Sequence, residues 1–141
     1  MPTEENKKFL KWFVEELINN KKFDEFRNHV TTDAVEHAAP PGMPTNIEST
    51  IQWFKMFAGA FPDFKYTLED QVAEGDLVVQ RATCTGTMKG ELLGMKPTGK
   101  TATWSEIHTL RMKDDKIAEH WASVDQMGML VQLGLVPMPG M

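Results

Sequence analysis

The hydrophobic positions of this chain change period once, close to residue 63, and that change predicts its architecture. Before it, Phe9, Phe13 and Leu17 recur at helical spacing with Trp12 beside them, which predicts a first helix. Thr3 is its expected N-cap, with Glu4 and Glu5 suited to the positive end of the first turn. Phe23, Phe26 and Val30 predict a shorter helix after the break at Asn19-Asn20-Lys21. Ala34 to His37 reads as a brief strand closed by the loop Pro40-Pro41-Gly42, and a third helix is expected over Glu48 to Gly59 with Ile51, Phe54 and Ala58 facing the core. After Phe61-Pro62-Asp63 the period is two. Phe64 to Ala73, Leu77 to Met88, Thr101 to Met112 and Lys116 to Val124 are the predicted strands, followed by a short helix, Gln126 to Leu133, and a tail from Pro137 to Met141. Three helices and then a meander predict an α+β fold in one domain, 1–141: a cone-shaped, curved antiparallel or mixed sheet wrapped around the N-terminal helices. The mouth of such a cone can hold a small molecule.

The pair of runs Glu106-Ile107-His108-Thr109-Leu110-Arg111-Met112 and Lys116-Ile117-Ala118-Glu119-His120-Trp121, joined by Lys113-Asp114-Asp115, reads as a hairpin. Its alternation sets Glu106, His108 and Leu110 on one face and Ile107, Thr109 and Arg111 on the other. A carboxylate and an imidazole on one face describe either a solvated surface or the wall of a polar-lined pocket. Arg111 and Glu119 are placed to pair across the hairpin.

Composition narrows the classes of function. Hydrophobic residues make up 41% and charged residues 25% of the 141 positions, the balance of a globular domain large enough for a core without staples. A net charge of -5 argues against nucleic acid as a partner, because phosphate binding wants a basic face. The single cysteine, Cys84, excludes an internal disulfide and a thiolate zinc site; with a polar, acidic start and no apolar run of spanning length, the expected home is the cytoplasm, away from membranes. Gly94-Met95-Lys96-Pro97-Thr98-Gly99-Lys100-Thr101 matches the phosphate-binding loop pattern, but β-rich alternation follows it where that chemistry needs a helix, so it is taken as a connection between strands.

The candidate chemistry lies with the histidines and their neighbours. His37, at the end of the brief strand, is either a base pointing into the cone or a surface histidine. His108, in the middle of a long strand, is either a pocket-lining acid/base or a hydrogen-bonded core residue, and Glu106 on its face would tune it. Asp125 reads first as the N-cap of the last helix and second as a catalytic carboxylate. Trp121 fits core packing or a ligand wall, and Cys84 has no partner base beside it.

Phe61-Pro62-Asp63, Glu74-Gly75-Asp76-Leu77-Val78-Val79, Gly86-Thr87 with Gly90 and Gly94, Pro97-Thr98-Gly99-Lys100, Lys116 to Trp121, Asp125 and Gln132-Leu133-Gly134 together resemble the SnoaL-like polyketide (ester) cyclases. These belong to the nuclear transport factor 2-like superfamily, which includes ketosteroid isomerase. The resemblance implies a cone-shaped α+β barrel, a homo-oligomer (dimer or tetramer) formed through the sheet, and carbon-acid chemistry with neither metal nor cofactor. His108 matches the histidine of those cyclases, Glu106 stands where they carry glutamine, and Ala122 stands where they carry the acid/base aspartate. In ketosteroid isomerase the base position corresponds to His37 and an oxyanion donor to His108. The expectation is a lyase, cyclase or isomerase acting on a small apolar carbonyl compound. His37 would be the base and His108 with Glu106 the enolate stabiliser, Asp125 is kept in the catalytic set, and Trp12, Trp53, Phe57, Trp121 and His120 would wall the pocket. The alternative is a non-catalytic binding or dimerisation module, which Ala122 favours. Epoxide hydrolysis on this scaffold would need an Asp-Arg-Asp set that the chain does not assemble.

Overall fold

The computed structural model describes residues 2–138, so the tail expectation over 139–141 lies outside the described residues. Helix α1 (Pro2–Trp12) runs on into a π-helical turn, Phe13–Ile18, and the continuous helix buries Leu10, Phe13, Val14, Leu17 and Ile18 along one side. The wide turn closes through i+5 bonds, Asn19 N–H to the Val14 carbonyl at 3.0 Å and Lys22 N–H to that of Leu17 at 2.8 Å. Thr3 lies inside this helix instead of capping it. The second helical piece is a 3₁₀ helix, Phe23–His29, that buries Phe23 and Phe26. Val30, expected in that helix, instead opens strand β1 (Val30–Glu36) in extended backbone, where a β-branched side chain sits without strain.

Helix α2 (Ile47–Ala60) starts at Asn46, whose side chain accepts the Ser49 N–H at 3.1 Å. It is followed by β2 (Lys65–Glu74), β3 (Leu77–Thr87), β4 (Thr101–Lys113), β5 (Lys116–Val124) and the short helix α3 (Gln126–Gln132). The strands form one sheet in the order β1-β5-β4-β3-β2. β1 runs parallel to β5 and the other neighbours are antiparallel, so the sheet is mixed and β1 and β2 are its open edges. The β4–β5 turn places Asp114 at φ 52° and Asp115 at φ 62°, the paired left-handed residues that a tight two-residue hairpin needs and that Asp tolerates. Gly94–Thr101 runs directly into β4, with no helix after it.

The helices and the inner face of the sheet close around a core that includes Phe26, Phe61, Val78, Cys84 and Met88. Phe61 is its keystone: the ring stacks on Phe57 at 4.7 Å, lies 6.0 Å from Trp104, and fills the space above Gly86. A Cβ at position 86 would fall 2.9 Å from the Phe61 ring, which is why that inward strand position has no side chain. Among the described residues no helix is long and apolar enough to cross a membrane.

Candidate active site

The inner face of the sheet becomes polar where three strands run side by side. Register sets Gln80, His108 and Ala122 in one row across β3, β4 and β5, and Val78, Leu110, His120 and Glu36 in the next row, which extends to β1. His108 and His120 are therefore diagonal neighbours, within reach for ring side chains. Their rings lie nearly parallel, 11° apart, with His108 Nδ1 and His120 Nε2 at 2.7 Å. Carboxylates hold both outer ends. His108 Nε2 is 2.7 Å from Glu106 Oε1, and His120 Nδ1 is 2.7 and 2.8 Å from the two oxygens of Glu36.

This carboxylate–imidazole–imidazole–carboxylate chain can be counted in protons. Each neutral imidazole carries a single N–H, and the carboxylates engage these at His108 Nε2 and His120 Nδ1. Between the rings two bare lone pairs would then face each other at 2.7 Å and repel. One further proton shared between the rings would close the link as an imidazolium between two carboxylates and leave the chain with a single excess negative charge.

Both carboxylates stay ionised. Burial alone would push Glu106 upward, but the imidazole of His108 and the Trp104 Nε1–H, which donates to Oε2 at 2.8 Å, hold it below the ordinary carboxylate range. Burial likewise opposes ionisation of Glu36, and His120, the Ala38 N–H at 2.8 Å and the Thr50 hydroxyl at 3.2 Å outweigh it. Burial first and the nearby Glu106 second push the Tyr66 phenol and the Cys84 thiol upward, so both stay protonated.

A linkage prediction follows. A carboxylate depressed in the folded state adds stability that is complete above its unfolded value, about pH 4.3 for Glu, and is lost as pH falls through the lower folded value. Thermal melts between neutral pH and pH ~3 should show a steep acid limb that the double variant Glu36→Gln/Glu106→Gln flattens. Superimposable acid limbs would mean that the chain does not stabilise the fold.

Two cavities meet at this chain. The outer one, about 430 Å³, is walled by apolar groups that include Trp53, Phe57, Phe64, Leu92 and Met95, and it reaches Glu106, His108, His120 and Ala122. The inner one, about 90 Å³, lies toward the π-helical turn of the first helix and is lined among others by Phe13, Val14 and Ile18. Glu36, Thr50, Phe54, Tyr66, His108 and His120 border both. Among the described residues no group of three or more His, Cys, Asp or Glu side chains is placed to hold a metal ion.

Glu106 and His108 come together as their alternation implied, and His120 joins them inside the chain of hydrogen bonds. Trp53 and Phe57 line the outer cavity. The other expected site residues lie elsewhere. His37 follows Glu36 by one position, so its side chain falls on the opposite side: it stacks on Trp121 at 4.8 Å and pairs with Glu119 at 2.9 Å, lining neither cavity. Trp121, between the inward His120 and Ala122, faces outward for the same reason, with the Arg111 guanidinium 6.0 Å from its ring. Arg111 also meets Glu119 at 3.0 Å, the cross-hairpin pair that the sequence suggested. Trp12 is exposed and packs on Phe9 and His29, because the buried stripe of its helix passes through Phe9's neighbours Leu10 and Phe13 and leaves position 12 outside. Asp125 caps α3, accepting the Gly128 N–H at 2.9 Å, and reaches neither cavity.

Sequence reasoning missed Glu36, Thr50, Trp104 and Gln80. Two of them left a trace: Glu36 falls in period two with Val30 and Ala34, which line the smaller cavity, and Trp104 continues the alternation of Glu106 and His108.

The description of the SnoaL-like polyketide cyclases matches residues 9–133 of the chain. It is 28% identical over 125 residues to an aklanonic acid methyl ester cyclase of Streptomyces peucetius, covering 84% of each protein. Among solved structures it is similar to IdmH of Streptomyces antibioticus, described as a candidate polyketide cyclase, at TM-score 0.80 and 31% identity over 92% of this chain and 98% of that one. AclR of Streptomyces galilaeus, described as a candidate hydroxylase, superposes with TM-score 0.84 and 28% identity over 98% of this chain and 87% of its own. The match spans the whole sheet and every member of the hydrogen-bonded chain. This protein belongs to the SnoaL-like polyketide cyclase family.

Proposed function

We propose that the protein closes a ring on a small apolar carbonyl compound by acid/base catalysis of an aldol type, without a cofactor. The carrying observation is the hydrogen-bonded chain of Glu106, His108, His120 and Glu36 in the wall of the 430 Å³ cavity. Donor strength assigns its two ends different tasks. Glu36 takes three strong donors, the His120 N–H shared between its two oxygens, the Ala38 N–H and the Thr50 hydroxyl. Glu106 takes one ring N–H on each oxygen and, beside them, only the weakly donating Cys84 thiol, so it is the less saturated carboxylate, and it borders the outer cavity. Glu106 is therefore the base, and Glu36 the anchor.

In the proposed step Glu106 takes a proton from the carbon beside a carbonyl, and the released electron pair forms the new carbon–carbon bond to a second carbonyl carbon. The π pair of that carbonyl moves to its oxygen, which takes a proton from the chain. One proton enters at Glu106 and one leaves to the alkoxide, so the chain ends as it began. The shared imidazolium lies next to the developing enolate and stabilises it most where water is excluded. His108 and His120 thereby supply in this chain the acid function that Ala122 does not.

Proton exchange tests the base directly. In deuterated buffer, wild type should wash deuterium into the acidic position of aklanonic acid methyl ester or a simpler aryl β-ketoester, and Glu106→Gln should lose at least about a hundredfold of that rate. Exchange that survives Glu106→Gln would remove the assignment. Ala122, inward and opposite His108, favours a second reading, a binding module without catalysis. Binding of these compounds with neither exchange nor closure would establish it.

A further inference from the structure

We infer that Tyr66 is a further catalytic residue, whose hydroxyl donates to the oxygen of the carbonyl beside the carbon that Glu106 deprotonates; the inference rests on the acid/base reading proposed above. A carbon acid needs a base for its proton and a donor for the oxygen that takes up the charge. The hydrogen-bonded chain supplies the base. It keeps no N–H for the oxygen, because all four ring nitrogens of His108 and His120 are engaged within it. The Trp104 Nε1–H is given to Glu106 and the Thr50 hydroxyl to Glu36. Among the described residues that border both cavities, the phenol of Tyr66 is the donor left unspent.

Tyr66 is 4% exposed, and that small surface includes the hydroxyl. Among the described residues the side-chain polar atoms both sealed and unpartnered are Thr31 Oγ1 and Gln80 Nε2; the Tyr66 hydroxyl has no partner either, yet it is not sealed. Burial first and Glu106 second keep the phenol protonated, so it serves as a donor. Register explains how it reaches the chain from the edge strand β2. Tyr66 pairs with Cys84, and Cys84 and Ala82 are the inward residues of β3 facing Trp104 and Glu106. Both are small, so nothing bulky separates the phenol from β4, and its ring centroid lies 5.6 Å from that of His108. The Asn19 side chain clamps the Tyr66 backbone from the other side, accepting its N–H at 2.8 Å and donating to its carbonyl at 2.9 Å. The donor is therefore fixed before any charge develops, the condition under which a hydrogen bond lowers a barrier. Tyr66 keeps its proton throughout the step. Its hydrogen bond strengthens as Glu106 removes the proton and the electron pair spreads onto the carbonyl oxygen. It relaxes when that pair forms the carbon–carbon bond and the carbonyl returns.

Deuterium exchange into ethyl benzoylacetate, an aryl β-ketoester, tests the assignment. Tyr66→Phe should lower kcat for exchange about a hundredfold with KM nearly unchanged, the mark of a contact made in the transition state. It should melt at or above the wild-type temperature, since it deletes a hydroxyl that has no partner. Tyr66 is the one tyrosine of the chain, so growth on 3-fluorotyrosine replaces this residue alone. That protein keeps a donor hydroxyl in the same place and should exchange close to the wild-type rate. Exchange by Tyr66→Phe within about twofold of wild type, with Glu106→Gln inactive, assigns the hydroxyl to water and overturns the inference while the base stands. A rise in KM alone makes Tyr66 an ordinary binding contact and overturns it too. So does an equal loss in the 3-fluorotyrosine protein, which would trace the effect to ring shape. Absence of exchange by wild type overturns the acid/base reading and this inference together.

Discussion

Glutamine in place of His108 should lower turnover of any accepted carbonyl substrate by about 10²–10⁴-fold, with the melting temperature close to that of wild type. His108 is the link that touches both Glu106 and His120, each at 2.7 Å. A glutamine amide can still donate to Glu106, so the carboxylate keeps a partner and the fold is spared the cost of an orphaned buried charge. An amide cannot take up a proton, however, and the shared imidazolium is abolished. His120→Gln should behave alike, because it breaks the same link from the other side. The control is His37→Ala, which should leave turnover within about twofold of wild type, given that its ring lies on Trp121 outside both cavities. Were His37→Ala to be the damaging change and His108→Gln the silent one, the chemistry would have to be moved to the other side of the sheet.

The largest structural effect is expected from Phe61→Ala, a loss of about 3–5 kcal/mol, or roughly 10 °C or more in melting temperature. Phe61 has no exposed surface, and its neighbours Phe57 and Trp104 belong to α2 and β4, elements that the rest of the fold cannot move together to refill the space. That loss is a large share of the stability of an ordinary domain. It should also reach the chemistry. Trp104 packs against Phe61 and gives its Nε1–H to Glu106, so a loosened indole leaves the base less well held. Denaturant unfolding checks the first part, and a loss below about 1 kcal/mol would show that the cluster is not the keystone described here. The pH dependence of deuterium exchange checks the second: its acid limb should move to higher pH as Glu106 loses a stabilising donor.

Much of the fold was legible because the sheet shows its period directly. The run Lys116 to Val124 was bounded correctly from alternation alone, and the Asp114-Asp115 turn between it and β4 has the residues that left-handed backbone accepts. The departures have local causes. Val30 continues the helical spacing of Phe23 and Phe26 yet lies in β1, since a β-branched residue fits either count. The family resemblance points to His108, which lies in the hydrogen-bonded chain, whereas His37 and Trp121, expected as base and wall, line neither cavity. Each is one residue away from an inward position, Glu36 and His120 or Ala122, and a one-residue error in a strand exchanges its two faces.

What the sequence determined by itself was the order of elements, the common face of Glu106 and His108, and the family, because periodicity and local motifs are properties of neighbouring residues. What only the tertiary structure decided was which side chains come together in the candidate site. Glu36 meets His120 across 84 positions, and Gln80 meets His108 across a strand pairing of the sheet. Such contacts depend on strand register and strand order, and those are set by the packing of the whole core, which no single stretch of the chain encodes.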